Sequence, residues 1–130
     1  MKETTNTLHL TLQKLWFYLI HEKYKADEYR DIKPYYCARL CKDYKKDDPY
    51  CAKCATNFCQ PTPKCDMIHF TLGYPHRLDH ERHMRIKVVN IRKGYGKMLW
   101  GATKSRKQFI IELDLSTTQY GNYQYGNFQH

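Results

Sequence analysis

Leu8, Leu10 and Leu12 alternate with His9 and Thr11 near the start of the chain. A two-residue period predicts a β-strand with one apolar face. The period then changes. Over residues 13–24, Leu15, Trp16, Leu19 and Ile20 fall at helical spacing with polar groups between them. This predicts an amphipathic helix laid over the first strand, with Trp16 and Phe17 in the core. Residues 28–32 read as extended, because Pro34 steers the residue before it out of the helical region. Pro34 itself suits the first position of a short helix reaching Lys42.

Residues 43–66 have little hydrophobic pattern and carry Pro49, Pro61 and Pro63. A loop of that length inside a small domain needs something to order it. Strand character returns at Met67, Ile68, Phe70 and Leu72 and stops at Gly73-Tyr74-Pro75. Residues 84–91 alternate and are rich in β-branched side chains, and Gly94 and Gly96 close them with a turn. Residues 109–115 form the last predicted strand. The order of elements predicts an α+β fold built on an antiparallel, barrel-like sheet with flanking short helices and a cysteine-rich insert. The segment Gln119-Tyr120-Gly121-Asn122-Tyr123 recurs as Gln124-Tyr125-Gly126-Asn127-Phe128. It offers no aliphatic side chain to a core, so residues 117–130 are expected to form a flexible tail. The expected organisation is one domain over residues 1–116, with residues 43–66 as its insert.

Composition narrows the function. The 130 residues suffice for one core. Lysine and arginine number 22 against 13 acidic residues, a formal charge of +9. The excess is concentrated in residues 67–130. A basic half favours a polyanionic partner, most simply nucleic acid. The longest apolar run, Leu15-Trp16-Phe17-Tyr18-Leu19-Ile20, falls well short of the roughly 20 residues that cross a bilayer. The polar N-terminus has no signal-peptide pattern, so a soluble cytoplasmic protein with no membrane contact is expected. Ser105 and Ser116 are the only serines, and neither lies in a nucleophile elbow.

All six cysteines lie between Cys37 and Cys65. Such clustering in a cytoplasmic chain points to metal rather than disulfides. Cys51, Cys54, Cys59 and Cys65 approach a zinc-knuckle spacing and are expected to hold a structural zinc ion. Cys37 and Cys41, four apart on the predicted helix, are alternative ligands. Four thiolates leave no open position, so this zinc would order the insert and take no part in catalysis.

Several segments together resemble the ASCH domain family, within the PUA-like superfamily. They are Leu8-His9-Leu10-Thr11-Leu12, Trp16-Phe17, and the run from Lys25 through Arg30-Asp31-Ile32-Lys33-Pro34-Tyr35-Tyr36. In the second half they are Phe70-Thr71-Leu72-Gly73-Tyr74, Gly94-Tyr95-Gly96, Trp100-Gly101-Ala102 and Phe109-Ile110-Ile111-Glu112-Leu113. The similarity is to short phage and bacterial members and covers roughly residues 8–115, apart from the insert. The family signature G-x-K-x-x-E-x-R falls on Lys23, Lys25, Glu28 and Arg30, with lysine at the glycine position. The resemblance implies a PUA-like β-barrel that binds RNA or a nucleotide in a cleft beside the signature. It also implies a hydrolase alternative, since some members are an amidohydrolase for an acetylated cytidine or a ribonuclease. That amidohydrolase has a threonine nucleophile at the position of Glu28, which this chain lacks.

The residues of the motif can be read on their own terms. Glu28 and Arg30 share one face of an extended segment, with Lys25 at the preceding turn. Two cations beside one carboxylate can bind a phosphate and accept from a base amine. The expected nucleic-acid contacts are Lys25, Glu28, Arg30, Lys33, Tyr35, Tyr74 and Arg77. Tyr36 and Trp100 are further stacking candidates. The alternative role for the motif is an internal salt bridge holding the barrel mouth. A binding module is favoured over an enzyme; in an enzyme Lys25 and Glu28 would be the acid–base groups. A third reading is a phage-type adaptor whose insert and tail contact a protein.

Overall fold

The structure, a computed structural model, describes residues 6–122. Its strands are β1 (Thr7–Leu12), β2 (Asp27–Asp31), β3 (Met67–Leu72), β4 (His83–Gly94) and β5 (Gln108–Tyr120). Its helices are α1 (Lys14–His21), α2 (Pro34–Leu40) and α3 (Pro49–Ala52). The strands form one five-stranded sheet in the order β1-β3-β4-β5-β2. The sheet curls into a half-barrel, giving an α+β fold. Among the described residues no helix is long and apolar enough to cross a membrane.

The alternating segments became strands because one face of each is buried. Leu10 and Leu12 of β1, Ile68 and Phe70 of β3, and Met84 and Ile86 of β4 point into one core. Phe109, Ile111 and Leu113 of β5 join them. From outside the sheet, α1 contributes Phe17 and Ile20, and α2 contributes Cys37 and Leu40. Each large apolar side chain buried in this way contributes about 1.5–3 kcal/mol. The inward face of α1 is therefore Phe17 and Ile20. Leu15, expected inside, is 59% exposed. Trp16, one residue from Phe17 and so about 100° round the helix, is only half-buried.

Two further expectations change. The sheet is mixed rather than antiparallel, because β1 pairs parallel to β3, from Thr7 opposite Met67 to Leu12 opposite Leu72. Such a pairing needs a long crossover, and residues 13–66 supply it. The last strand also runs past residue 115 to Tyr120. Its end pairs with the start of β4, Tyr120 opposite Met84 and Gln119 opposite Arg85. The Gly121 amide bonds to the His83 carbonyl at 2.8 Å, and Asn122 receives Arg85 Nη2 at 3.0 Å. Residues 117–122 thus belong to the domain. They hold by backbone pairing and show no hydrophobic period, so the pattern did not mark them. The rest of the expected tail, residues 123–130, lies outside the described residues.

The opposite face of the sheet carries a row of histidines. His9 pairs with His69, and His69 pairs with Arg85, across β1, β3 and β4. His83 is buried, and its Nε2 donates to the His76 carbonyl at 3.0 Å. Its Nδ1 is therefore the acceptor for His69 Nε2 at 2.9 Å. His69 Nδ1 is left buried with no hydrogen-bond partner among the described residues. Burial, reinforced by the Arg85 charge, holds His69 down to about 3. Unfolded, this side chain takes a proton near 6.5. Unfolding consequently takes up a proton between those values, and stability is lost as pH falls from about 6.5 toward 3. His69→Gln keeps a donor for His83 but cannot titrate. Its urea midpoint should fall less than that of the wild type between neutral pH and the middle of that window. Equal losses in both proteins would show that His69 does not set acid stability.

Candidate functional site

The sheet does not close. Its edges are β1 and β2, and Arg30 of β2 reaches across to the other edge, donating from Nη2 to the Thr11 carbonyl at 2.9 Å. A cleft of about 390 Å³ lies along this seam. Trp16, Glu28, Tyr29, Arg30, Trp100 and Gln108 line it, with Lys33 and Tyr36 at one end.

A chain of charges forms its floor. Glu28 takes Lys25 Nζ on Oε1 at 3.2 Å and Arg30 Nη2 on Oε2 at 2.8 Å. Arg30 also donates from Nε to Glu28 Oε2 at 3.0 Å and from Nη1 to the Tyr36 hydroxyl at 3.0 Å. Lys25 is fully buried. Its ammonium donates to the Asp27 carbonyl and sits 4.7 Å from the Tyr29 ring centroid. Burial pulls the Lys25 pKa down, against the pull of Glu28. Burial opposes the Arg30 charge too, but Glu28 and Tyr36 outweigh it and raise the pKa. The triad carries one net positive charge beneath the cleft.

The walls are aromatic. Tyr29 accepts from the Lys97 amide at 3.0 Å, which tacks the loop after β4 onto the cleft. Gly96 presses against the same ring so closely that a Cβ there would lie 2.2 Å from it. Lys97 Nζ sits 4.1 Å over the Trp100 ring. Gln108 accepts from the Thr103 amide and donates to Asp31 Oδ1, both at 3.0 Å.

A second cavity of about 560 Å³ shares Thr11, Arg30, Lys33 and Tyr36 with the first. It adds His9, Tyr35, Arg39 and Tyr74, and no carboxylate lines it. The Arg39 guanidinium stacks 3.5 Å over Tyr35, and Tyr74 is 93% exposed.

Of the residues expected from the sequence, Glu28, Arg30 and Lys33 line the cleft, and Tyr35 and Tyr74 line the neighbouring cavity. Lys25 lies beneath the cleft and does not line it. Arg77 lies in the turn after β3 and lines neither cavity. The expected internal salt bridge is present, as Glu28 with both cations. Trp16, Gln108, His9 and Arg39 were missed. None left a signal, and Trp16 read as core because it keeps helical spacing with Ile20.

The cysteines part company. Cys41, Cys51, Cys54 and Cys59 line a third cavity of about 430 Å³. Cys37 hydrogen-bonds Cys54 but does not line it. Cys65 is buried in the core with them but does not line this cavity. Burial pushes the Cys41 and Cys54 thiols up to about 12. As they stand, no three His, Cys, Asp or Glu side chains among the described residues are gathered closely enough to hold a metal ion.

No family model matches the chain, and comparison with curated proteins and with solved structures finds no similar protein.

Two outcomes follow from this geometry. Glu28→Ala leaves the Lys25 ammonium buried without its counter-charge, so unfolding free energy in urea should drop by about 3–5 kcal/mol; a drop below about 1 kcal/mol would mean the triad is not a support. Lys23, at φ 68°, sits in the left-handed region. That conformation costs a non-glycine residue about 1–2 kcal/mol. Lys23→Gly should recover roughly half of this in the same assay, after glycine's own entropy loss.

Proposed function

We propose that the protein binds single-stranded RNA, or a nucleotide unit of it, in the seam cleft of a PUA-like half-barrel of the ASCH type. The observation that carries this reading is the division of labour between the two joined cavities. The first offers ring faces from Trp16 and Trp100 and a carboxylate edge from Asp31. Those are the groups that take an unstacked base. The second offers Arg30, Lys33 and Arg39 without a carboxylate. That is an environment for phosphate. Arg30 stands in both, where base and backbone would meet. The left-handed backbone at Lys23 also supports the ASCH resemblance, because it gives lysine the conformation for which the signature has glycine.

A hydrolase that uses Lys25 and Glu28 as acid and base is not favoured. Lys25 has no exposed surface, and both Glu28 oxygens are already engaged. The two residues act as supports for Arg30. Tyr74 and Tyr35 remain as stacking surfaces at the mouth of the phosphate cavity.

The test is fluorescence anisotropy of the full chain with a short labelled single-stranded RNA across a salt series. Three cations on phosphate predict a slope of log K against log salt of about −2. Arg39→Ala should reduce that slope by about 0.7 and weaken all sequences alike. Trp100→Ala should cost about 1–3 kcal/mol and leave the slope unchanged. Salt-insensitive binding, or none at low salt, would overturn the reading.

A further inference from the structure

The insert has an unusual interior. Residues 43–66 contain no Leu, Ile, Val or Met. Its Phe58 is 89% exposed and its Tyr50 52% exposed. The side chains it buries fully are those of Cys54, Asn57, Pro61 and Cys65. Ordering each residue costs about 1–2 kcal/mol of chain entropy. Apolar burial of this kind offsets little of that cost.

Backbone bonds such as the Lys42 amide to the Thr62 carbonyl at 2.7 Å tie its ends to the fold, and the thiols gather in between. Cys41 closes α2, Cys51 lies in α3, Cys54 in the turn after it and Cys59 in the loop beyond. All four face one cavity. Donors are aimed at their sulfurs. The Lys45 amide lies 3.4 Å from Cys51 Sγ. Lys93 Nζ of β4 lies 3.3 Å from Cys59 Sγ and 3.9 Å from Cys54 Sγ. The same ammonium bonds the Cys54 carbonyl at 2.9 Å and Asn57 Oδ1 at 2.8 Å. No carboxylate pairs with Lys93 in any ion pair among the described residues. A neutral thiol is a weak acceptor, whereas a thiolate accepts strongly from a cation. With the Asn57 carbonyl at 3.1 Å as well, three neutral oxygens hold this lysine beside two sulfurs, so its charge is available to balance thiolates.

We infer that Cys41, Cys51, Cys54 and Cys59 bind one structural zinc ion, with Lys93 as the charge-balancing donor to its sulfurs. Four thiolates suit tetrahedral zinc at about 2.3 Å and leave no position open for catalysis. The thiols line the cavity without closing on a point, and the ion draws the loop walls together as it binds. Each thiol that ligates gives its proton to solvent, so binding weakens as pH falls. This set takes Cys41 in place of Cys65, and leaves Cys37 behind Cys54 as a neighbour.

The experiment uses the full chain, purified reduced and without chelator. Elemental analysis should find one zinc per chain. A thiol-reactive chromogen should gain access to Cys41, Cys51, Cys54 and Cys59 when a strong chelator is added, while Cys37 and Cys65 stay buried. Cys65→Ser should keep the zinc, and Cys59→Ser should lose it. Since Cys59→Ser can fail by misfolding, cobalt is also titrated into metal-stripped wild type, where a tetrahedral thiolate spectrum should appear. Absence of both zinc and the cobalt spectrum would overturn the inference. So would a mass showing disulfides in the reduced preparation, or loss of metal from Cys65→Ser with retention in Cys41→Ser.

Discussion

Glu28 divides one carboxylate between Lys25, which is wholly inside, and Arg30, which spans the open seam. Removing two charges from water costs several kcal/mol each, and their attraction does no more than offset this when the geometry is good. The arrangement is therefore a device of position more than of stability. Lys25 is held by rings and a carbonyl, so Glu28 cannot swing. Glu28 fixes Arg30, and Arg30 sets the distance between two strand edges that have no backbone pairing of their own. The cleft exists because a side chain spans the gap where a hydrogen-bond ladder would have closed the barrel.

Where the sequence was legible, one face of a strand was buried and the other was not. β1, β3 and β4 are of this kind, and their positions agree with the alternation to within a few residues. The parallel pairing of β1 with β3 was not legible, because no local pattern encodes which distant strand a segment meets. Helix α1 misled because Leu15 and Leu19 kept helical spacing with Trp16 and Ile20, while the sheet selected Phe17 and Ile20 instead. At the site, alternation correctly put Glu28 and Arg30 on one face. It did not reach Lys25, which lies in the turn before β2 and is buried against Glu28 and the Tyr29 ring. Gln108 and Arg39 had no signal, since each gains meaning only from what folding brings beside it.

The two cavities on either side of Arg30 differ in sign as well as in shape. Carboxylates line one and are missing from the lining of the other. Thr11, Arg30, Lys33 and Tyr36 belong to both, so the boundary runs from the edge of β1 across Arg30 to the start of α2. The second cavity is thus built by the helix that also carries Cys37 and ends at Cys41. The insert and the seam are joined through α2, which Cys37 and Leu40 anchor in the core.

The order of strands in the sheet has a consequence for how the chain acquires it. β3, β4 and β5 follow one another in sequence and lie side by side, each antiparallel to the next. β1 and β2 come from the earlier half and attach only at the two margins. Neither has a neighbour until the later half exists, and contacts so distant along the chain form slowly. The seam needs both margins in place, so neither half of this stretch of chain can build it alone.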